Sequence, residues 1–281
     1  MTSPRILLKA WNMRPKKALG QNFLMNEALA QTIVTRAALT PQDEVVEIGA
    51  GLGAITIPAA RRAARLIAVE KDPRLLDLLR TELAVQRLTN VELVNRDILD
   101  VNYRDYIPPD HPAVVIGNLP YNLSSQIVVH LIASRGVLQR ALLMLQKEMA
   151  QRLTASPGNR DYGRLSVMLQ YCAEVEVVAE APAHMFYPRP KVDSQVIQAV
   201  FRKQIDPPAD DERMLSRVVK AGFSQRRKTL RNALAGNILK ADHPQVEAWL
   251  DGAAIDARRR AETLTVGEFV RLANLIAERA P

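Results

Sequence analysis

Three acidic residues, Glu47, Glu70 and Asp97, each end or follow a short apolar run. The first stands two residues before a glycine cluster, Gly49-Ala50-Gly51-Leu52-Gly53. Glycines at alternate positions let the chain turn tightly and bring its backbone close to a ligand, and the helix start beyond them offers free N–H groups. Gly49 to Ala54 also satisfies the dinucleotide pattern G-x-G-x-x-G/A, so the glycines alone separate neither one cofactor from another nor a binding loop from an empty turn. The acids narrow the choice. A carboxylate at Glu47 would repel a pyrophosphate but suits the cationic end of S-adenosylmethionine. Glu70, about twenty residues on, can accept both hydroxyls of a ribose. Asp97, followed by Ile98, can accept a bond from an adenine amino group. Each acid alone reads equally well as a solvated loop residue or a helix cap. Together they fall at the carboxyl ends of successive strands, where open α/β sheets bind ligands.

Asn118-Leu119-Pro120-Tyr121 suits a different task. An adenine amino nitrogen is a poor nucleophile because its lone pair is delocalised into the ring. The side-chain carbonyl of Asn118 and the main-chain carbonyl of Leu119 can each accept one of its N–H bonds, favouring a pyramidal nitrogen aimed at an electrophilic methyl. Pro120 stiffens a loop that displays carbonyls, and Tyr121 offers a flat face for a base. Without the acids and glycines, the same four residues read as a strand-ending turn with a packed tyrosine. No motif places a histidine, lysine or cysteine to take the amino proton, so catalysis would rest on orientation, the proton leaving to water. On this reading Asn118→Asp, which keeps an acceptor oxygen, should retain more activity than Asn118→Ala.

The elements that must hold these residues are legible in the apolar pattern. Strands are expected at Glu44–Ile48, Leu66–Glu70, Val91–Asn95, Ala113–Gly117, Ala141–Leu145, Val175–Ala181 and Val196–Phe201, and helices at Asn26–Leu39, Pro73–Arg87 and Ser124–Ser134. Short apolar strands separated by helices predict a mostly parallel sheet covered on both faces, with an antiparallel pair at one edge where the last two strands have little helix between them. Residues 203–213 are polar and broken by Pro207 and Pro208, and read as a linker. Beyond it the pattern is helical only: Leu215–Phe223, Thr229–Ala235, Val246–Leu250 and Val266–Ile276.

The 281 residues suffice for one large α/β domain and a smaller one. The single cysteine, Cys172, gives no disulfide framework, and the four scattered histidines lack metal-ligand spacing, so no metal is expected. No apolar run reaches membrane-spanning length and no signal peptide opens the chain, which fits a cytoplasmic protein. A net charge of +8 favours a polyanionic partner. Its local form is an acid-free stretch with Arg5, Lys9, Arg14, Lys16 and Lys17, and a cluster of Arg226, Arg227, Lys228 and Arg231 expected on about one turn of helix, where the four can face phosphates together. A solvated surface explains either cluster as well.

Five motifs in order, Gly20-Gln21-Asn22-Phe23-Leu24, Glu47 to Gly53, Asn118 to Tyr121, Phe186-Tyr187-Pro188-Arg189-Pro190-Lys191-Val192-Asp193-Ser194 and the run Phe223 to Asn232, resemble the bacterial small-subunit ribosomal RNA adenine dimethyltransferases, the KsgA-like enzymes. The resemblance extends from about Lys16 to about Phe269, nearly the whole chain. It implies an α/β fold, a class I (Rossmann-like) methyltransferase domain with a seven-stranded, mostly parallel sheet, and a small all-helical C-terminal domain. It also implies N6-dimethylation of two adjacent adenosines near the 3′ end of 16S ribosomal RNA, within an assembling 30S particle, by a monomer. Carried over by position, Gln21, Asn22 and Leu24 line the cofactor site, Gly49 and Gly51 meet the methionine part, Glu70 the ribose, and Asp97 and Ile98 the adenine. Asn118 and Tyr121 handle the target base and Phe186 closes on its other face. The implied division is a basic arm with the cofactor-lining segment (1–25), the methyltransferase domain (26–204) and a helical RNA-binding domain (205–281). Leu19 departs from an aromatic common in relatives, and the first dozen residues have no counterpart. Three rivals are a DNA adenine methyltransferase, which lacks a visible target-recognition region here, a nicotinamide oxidoreductase, which leaves Asn118–Tyr121 idle, and an RNA-binding assembly or transcription factor that has kept the fold without the chemistry.

Overall fold

Val45, Val46 and Ile48, like Val114, Val115 and Ile116, form runs that bury both faces of a strand, and these two runs lie side by side at the centre of a sheet. A computed structural model describes residues 3–108, 110–236 and 238–279. Its strands are β1 (Phe23–Leu24), β2 (Glu44–Ile48), β3 (Arg65–Glu70), β4 (Val91–Asn95), β5 (Ala113–Asn118), β6 (Leu138–Gln146), β7 (Ala173–Ala181), β8 (Phe186–Tyr187) and β9 (Ser194–Phe201). Seven of them form one sheet in the order β4-β3-β2-β5-β6-β9-β7, and β1 pairs with β8 apart from it. From β4 to β6 neighbours run parallel, and β9 runs antiparallel to β6. The chain steps outward from β2 through β3 to β4, then returns to lay β5 on the other side of β2. That reversal opens a crevice at the carboxyl ends of β2 and β5, the place where such sheets take ligands.

The expected α/β sheet and the helical region after it are both present. The helix Glu27–Arg36 starts where Asn26 accepts a bond from the Leu29 N–H, and Pro73–Val85 starts at Asp72 with proline at its first position. By compactness the chain forms two units, residues up to 150 with 174–201, and residues 151–173 with 202 onward. The single boundary at 204 expected from the sequence is therefore corrected. Residues 151–173 go with the helical unit because they bond within it: the Gly158 N–H donates to the Glu262 carbonyl (2.7 Å), and the Ala209 N–H to the Tyr171 hydroxyl (3.0 Å). That unit is built on helices Arg164–Cys172, Glu212–Gly222, His243–Gly252 and Val266–Arg279, with Leu215, Val218, Leu250 and Phe269 fully buried.

Two further expectations change. The basic stretch at the start is no free arm. Pro4–Ala10 is helical, and Leu7 and Leu8 pack with Met13, Phe23, Leu52, Leu75 and Leu78. Arg226, Arg227 and Lys228 do not share a helical turn with Arg231. The helix stops at Gly222, the next begins at Leu230, and the three cations occupy the exposed turn between them.

Candidate cofactor and base site

A cavity of about 240 Å³ opens at the switch point between β2 and β5. Its wall contains Gln21, Asn22, Leu24, Glu47, Gly49, Gly51, Glu70, Asp97, Ile98 and the whole of Asn118–Tyr121. Segments far apart in sequence thus meet at one place. Gly49 (φ 73°) and Gly51 (φ 55°) take the left-handed conformation that the turn after β2 needs. A side chain at Gly51 would press against the Phe23 ring at 3.4 Å, so the loop lies directly under the residue 20–24 segment.

The acids are held differently. Glu70, at the end of β3, accepts the Gly51 N–H on one oxygen (3.0 Å) and the Asp72 N–H on the other (2.9 Å). Glu47 is 2 % exposed and its Oε2 has no hydrogen-bond partner. Burial above all, joined by the neighbouring Glu70 charge and opposed by hydrogen bonding from Thr56, pushes the Glu47 carboxyl up to about 8. Burial also raises Glu70, against its two N–H bonds. Asp97 is lowered by the bond from Lys71 (2.7 Å), and its other oxygen accepts the Leu99 N–H (3.1 Å). It still has lone pairs to offer an adenine, but shares them with a lysine.

Asn118 ends β5, and its Nδ2 donates to the Asn22 carbonyl at 2.8 Å. That bond turns Oδ1, which has no partner among the described residues, the other way. The same bond overturns the expected order of the two substitutions. A carboxylate at 118 would set an oxygen against the Asn22 carbonyl oxygen, so Asn118→Asp has no advantage over Asn118→Ala. Leu119 is buried, and its N–H donates to the Met144 carbonyl on β6 (3.0 Å). The Tyr121 hydroxyl bonds the buried Ser194 hydroxyl at the start of β9 (2.9 Å), which fixes the ring against the edge of the cavity.

Phe186 does not reach this wall. It is 1 % exposed, pairs with Leu24 across β1 and β8, and packs in the core with Ile33, Val34 and Ala50. A ring that completes the core at this point cannot also close over a base without leaving a void. The neighbouring Tyr187 is partly buried and lies under the Arg5 guanidinium at 4.9 Å.

Sequence reasoning missed Asp72. Its side chain is nearly inaccessible and accepts bonds from Lys16 Nζ (2.8 Å) and Gln21 Nε2 (3.2 Å), while its N–H holds Glu70. It therefore ties the N-terminal segment to the ribose-side acid. Asp72-Pro73 is a helix-start signal, and only that role was legible. Lys16, though exposed, is consequently engaged in the fold, whereas exposed Lys17 makes no side-chain bond among the described residues. In the helical unit Arg231 pairs with Glu247 and Arg226 donates to the Arg160 carbonyl, while Arg227 and Lys228 make no side-chain bond among the described residues.

The profile of a family described as ribosomal RNA adenine dimethylase matches residues 12–278. The ribosomal RNA small subunit methyltransferase A of Desulforapulum autotrophicum is 50 % identical over 276 residues, covering 98 % of this chain and 97 % of its own. The protein of the same name from Magnetococcus marinus is 43 % identical over 272 residues, covering 96 % and 95 %. Among solved structures, the 23S rRNA methyltransferase ErmE is similar with a TM-score of 0.70 at 28 % identity, over 91 % of this chain and all of that one. A dimethyladenosine transferase from Plasmodium falciparum shares the fold with a TM-score of 0.75 at 24 % identity, over 89 % and 95 %. With the family profile spanning nearly its whole length, this chain belongs to the ribosomal RNA adenine dimethylase family.

Proposed function

We propose that the chain transfers methyl groups from S-adenosylmethionine to the amino nitrogens of two adjacent adenosines near the 3′ end of 16S ribosomal RNA, converting each to dimethyladenosine. The observation that carries the reading is the meeting, in one cavity, of three strand-end acids with an asparagine whose free oxygen is oriented by a bond on its nitrogen. The wall fits that cofactor. It holds a buried carboxylate with an unpartnered oxygen, suited to a cation, and a glycine turn with no side chain to block approach. When bound, the cofactor supplies an electrophilic methyl on a sulfonium.

The chain's own residues bind and orient. Glu70, braced by two backbone N–H groups, is set to accept ribose hydroxyls, and Asp97 faces the position for adenine. Asn118 Oδ1 and the Leu119 carbonyl hold the target amino group, and Tyr121 carries the base on a ring that Ser194 keeps in place. No histidine or cysteine lines the cavity, and its lysine, Lys71, is bonded to Asp97. The proton lost by the alkylated nitrogen therefore goes to water, and orientation supplies the rate. The relatives named for the small ribosomal subunit support that RNA as substrate. Arg227 and Lys228, without a side-chain bond among the described residues, suit contact with its phosphates, and an assembling 30S particle in the cytoplasm is the setting we infer. A monomer is the form we infer for the chain. An RNA-binding factor without chemistry would not need Glu70, Asp97 and Asn118 in one wall.

The test is tritiated methyl transfer onto small subunits lacking the modification, followed by nucleoside analysis. Label recovered as dimethyladenosine is expected. Binding without label in any nucleoside would favour the assembly-factor reading.

A further inference from the structure

Glu47 and Glu70 stand on adjacent strands, line the same cavity and are both buried, yet no cation pairs with either among the described residues. The other charged groups of the wall are occupied or open to solvent: Lys71 is bonded to Asp97, and Arg96 is exposed. Asp72, whose charge also acts on Glu70, is paired with Lys16, and the remaining neighbours, Asn118 on β5 and Thr56 on the helix Thr56–Ala60, are neutral. Two buried carboxylates this close cannot both ionise without cost, so one proton is shared unequally between them. Hydrogen bonding decides where it sits. Both Glu70 oxygens accept backbone N–H groups, which favour the carboxylate, while Glu47 is helped by Thr56 alone and its Oε2 accepts nothing.

We propose that Glu47 senses the charge of the cofactor: it carries a proton in the empty cavity, releases it to solvent when the sulfonium form binds, and recovers it when the neutral thioether product occupies the site. The inference rests on the S-adenosylmethionine reading above. S-adenosylmethionine carries one positive charge more than S-adenosylhomocysteine, and only the first repays ionising a buried acid. Protonated Glu47 then loses its attraction for the spent cofactor, so the device favours release of product and entry of a fresh cofactor between the successive methylations. The raised Glu47 pKa of about 8 agrees with a proton held there at neutral pH.

The experiment is calorimetry of the full chain at pH 7 in two buffers of different ionisation enthalpy, with S-adenosylmethionine and S-adenosylhomocysteine as separate ligands. The buffer difference should report release of about one proton with the first ligand and clearly less with the second. Glu47→Gln should abolish the difference between the ligands. In the unaltered protein the affinity ratio of the two ligands should rise by up to about tenfold per pH unit below pH 8 and level off above it. That arm needs no variant, so it decides the matter even if Glu47→Gln folds poorly. Equal proton release with both ligands, or a ratio independent of pH, overturns the proposal while leaving the cofactor assignment intact. Failure of S-adenosylmethionine to bind at all overturns both.

Discussion

Two buried or half-buried glutamates, one in each unit, have opposite fates. In the sheet unit Glu47 faces a cavity with an oxygen unpartnered and is pushed up to about 8. In the helical unit Glu268 accepts two bonds from Arg259 (2.5 and 3.2 Å), and also the Thr265 N–H (2.7 Å) and hydroxyl (3.1 Å). It is held down to about 2, the arginine bonds first. One carboxylate is satisfied by its own chain, and the other waits for something the chain does not contain. The difference separates scaffold from site by a physical criterion: charge that the fold neutralises serves the fold, and charge or lone pairs it leaves open serve a ligand. Asn118 Oδ1 belongs with the open set, and Arg231, paired with Glu247, with the closed one.

The largest effect should come from an open acceptor. Asn118→Ala removes the oxygen that holds the amino group, and single-turnover methyl transfer should fall roughly 100- to 1,000-fold, as when one oriented hydrogen-bonding partner of a transition state is lost. Asn118→Asp should do no better, because its carboxylate meets the Asn22 carbonyl. Tyr121→Ala should also cripple transfer while sparing cofactor binding by calorimetry. If Asn118→Asp keeps most of the activity, the bond to Asn22 does not set the orientation of residue 118.

A pair of substitutions next tests the criterion directly. Glu70→Ala should weaken S-adenosylmethionine binding by roughly 1.5–3 kcal/mol, the range for bonds to a charged group, and a normal affinity would remove Glu70 from the site. Glu268→Gln should leave that affinity unchanged and instead lower thermal stability, by about 1–3 kcal/mol on the same scale. The pH dependence follows from the lowered pKa. Folded Glu268 titrates near 2 against an ordinary value of 4.5, so its stabilisation is full above pH 4.5 and is lost as pH falls through about 2. Acid titration of the melting temperature should therefore show a limb in that window which Glu268→Gln flattens. A cofactor defect in Glu268→Gln would erase the distinction between the two glutamates.

How much of this was legible in the sequence follows the same division. The central strands β2, β3 and β5 announce themselves because both faces are buried, and Glu47, Glu70, Asp97 and Asn118 follow from their positions at or just beyond strand ends. What sequence could not supply is pairing. That Asp72 gathers Lys16, Gln21 and the Glu70 carboxylate depends on segments some fifty residues apart meeting in space. The motif around Phe186 points to a ring closing on the base, but its strand pairing with Leu24 turns it into the core. The helix Pro4–Ala10 has only seven residues, too few to display a periodicity, so its packing through Leu7 and Leu8 was invisible. The division between units was misplaced because a linker marks where a chain leaves a domain, not where an earlier segment has already joined another.

The smallest effect concerns the cations of the turn between Gly222 and Leu230, and it puts the criterion to its strictest use. Arg226, Arg227, Lys228 and Arg231 are near neighbours in sequence and look equivalent on charge alone. In the fold they are not. Arg226 donates to the Arg160 carbonyl and Arg231 is paired with Glu247, whereas Arg227 and Lys228 are exposed and make no side-chain bond among the described residues. A cation already paired must break that bond to reach a phosphate, and an exposed free one displaces only water and counterions. Each phosphate contact contributes roughly 0.7–0.9 to the slope of log affinity against log salt. Replacing Arg227 and Lys228 together by alanine should therefore flatten the slope for ribosomal RNA by about 1.4–1.8 in all if both touch phosphate. Replacing Arg231 should change the slope less, and should cost little thermal stability because Arg231 and Glu247 are both nearly half exposed. The readout is a salt series of binding isotherms for each variant. If Arg231→Ala flattens the slope as much as the Arg227/Lys228 pair does, then pairing within the chain does not protect a charge from use by a partner. The open and closed sets would then have to be told apart by exposure alone.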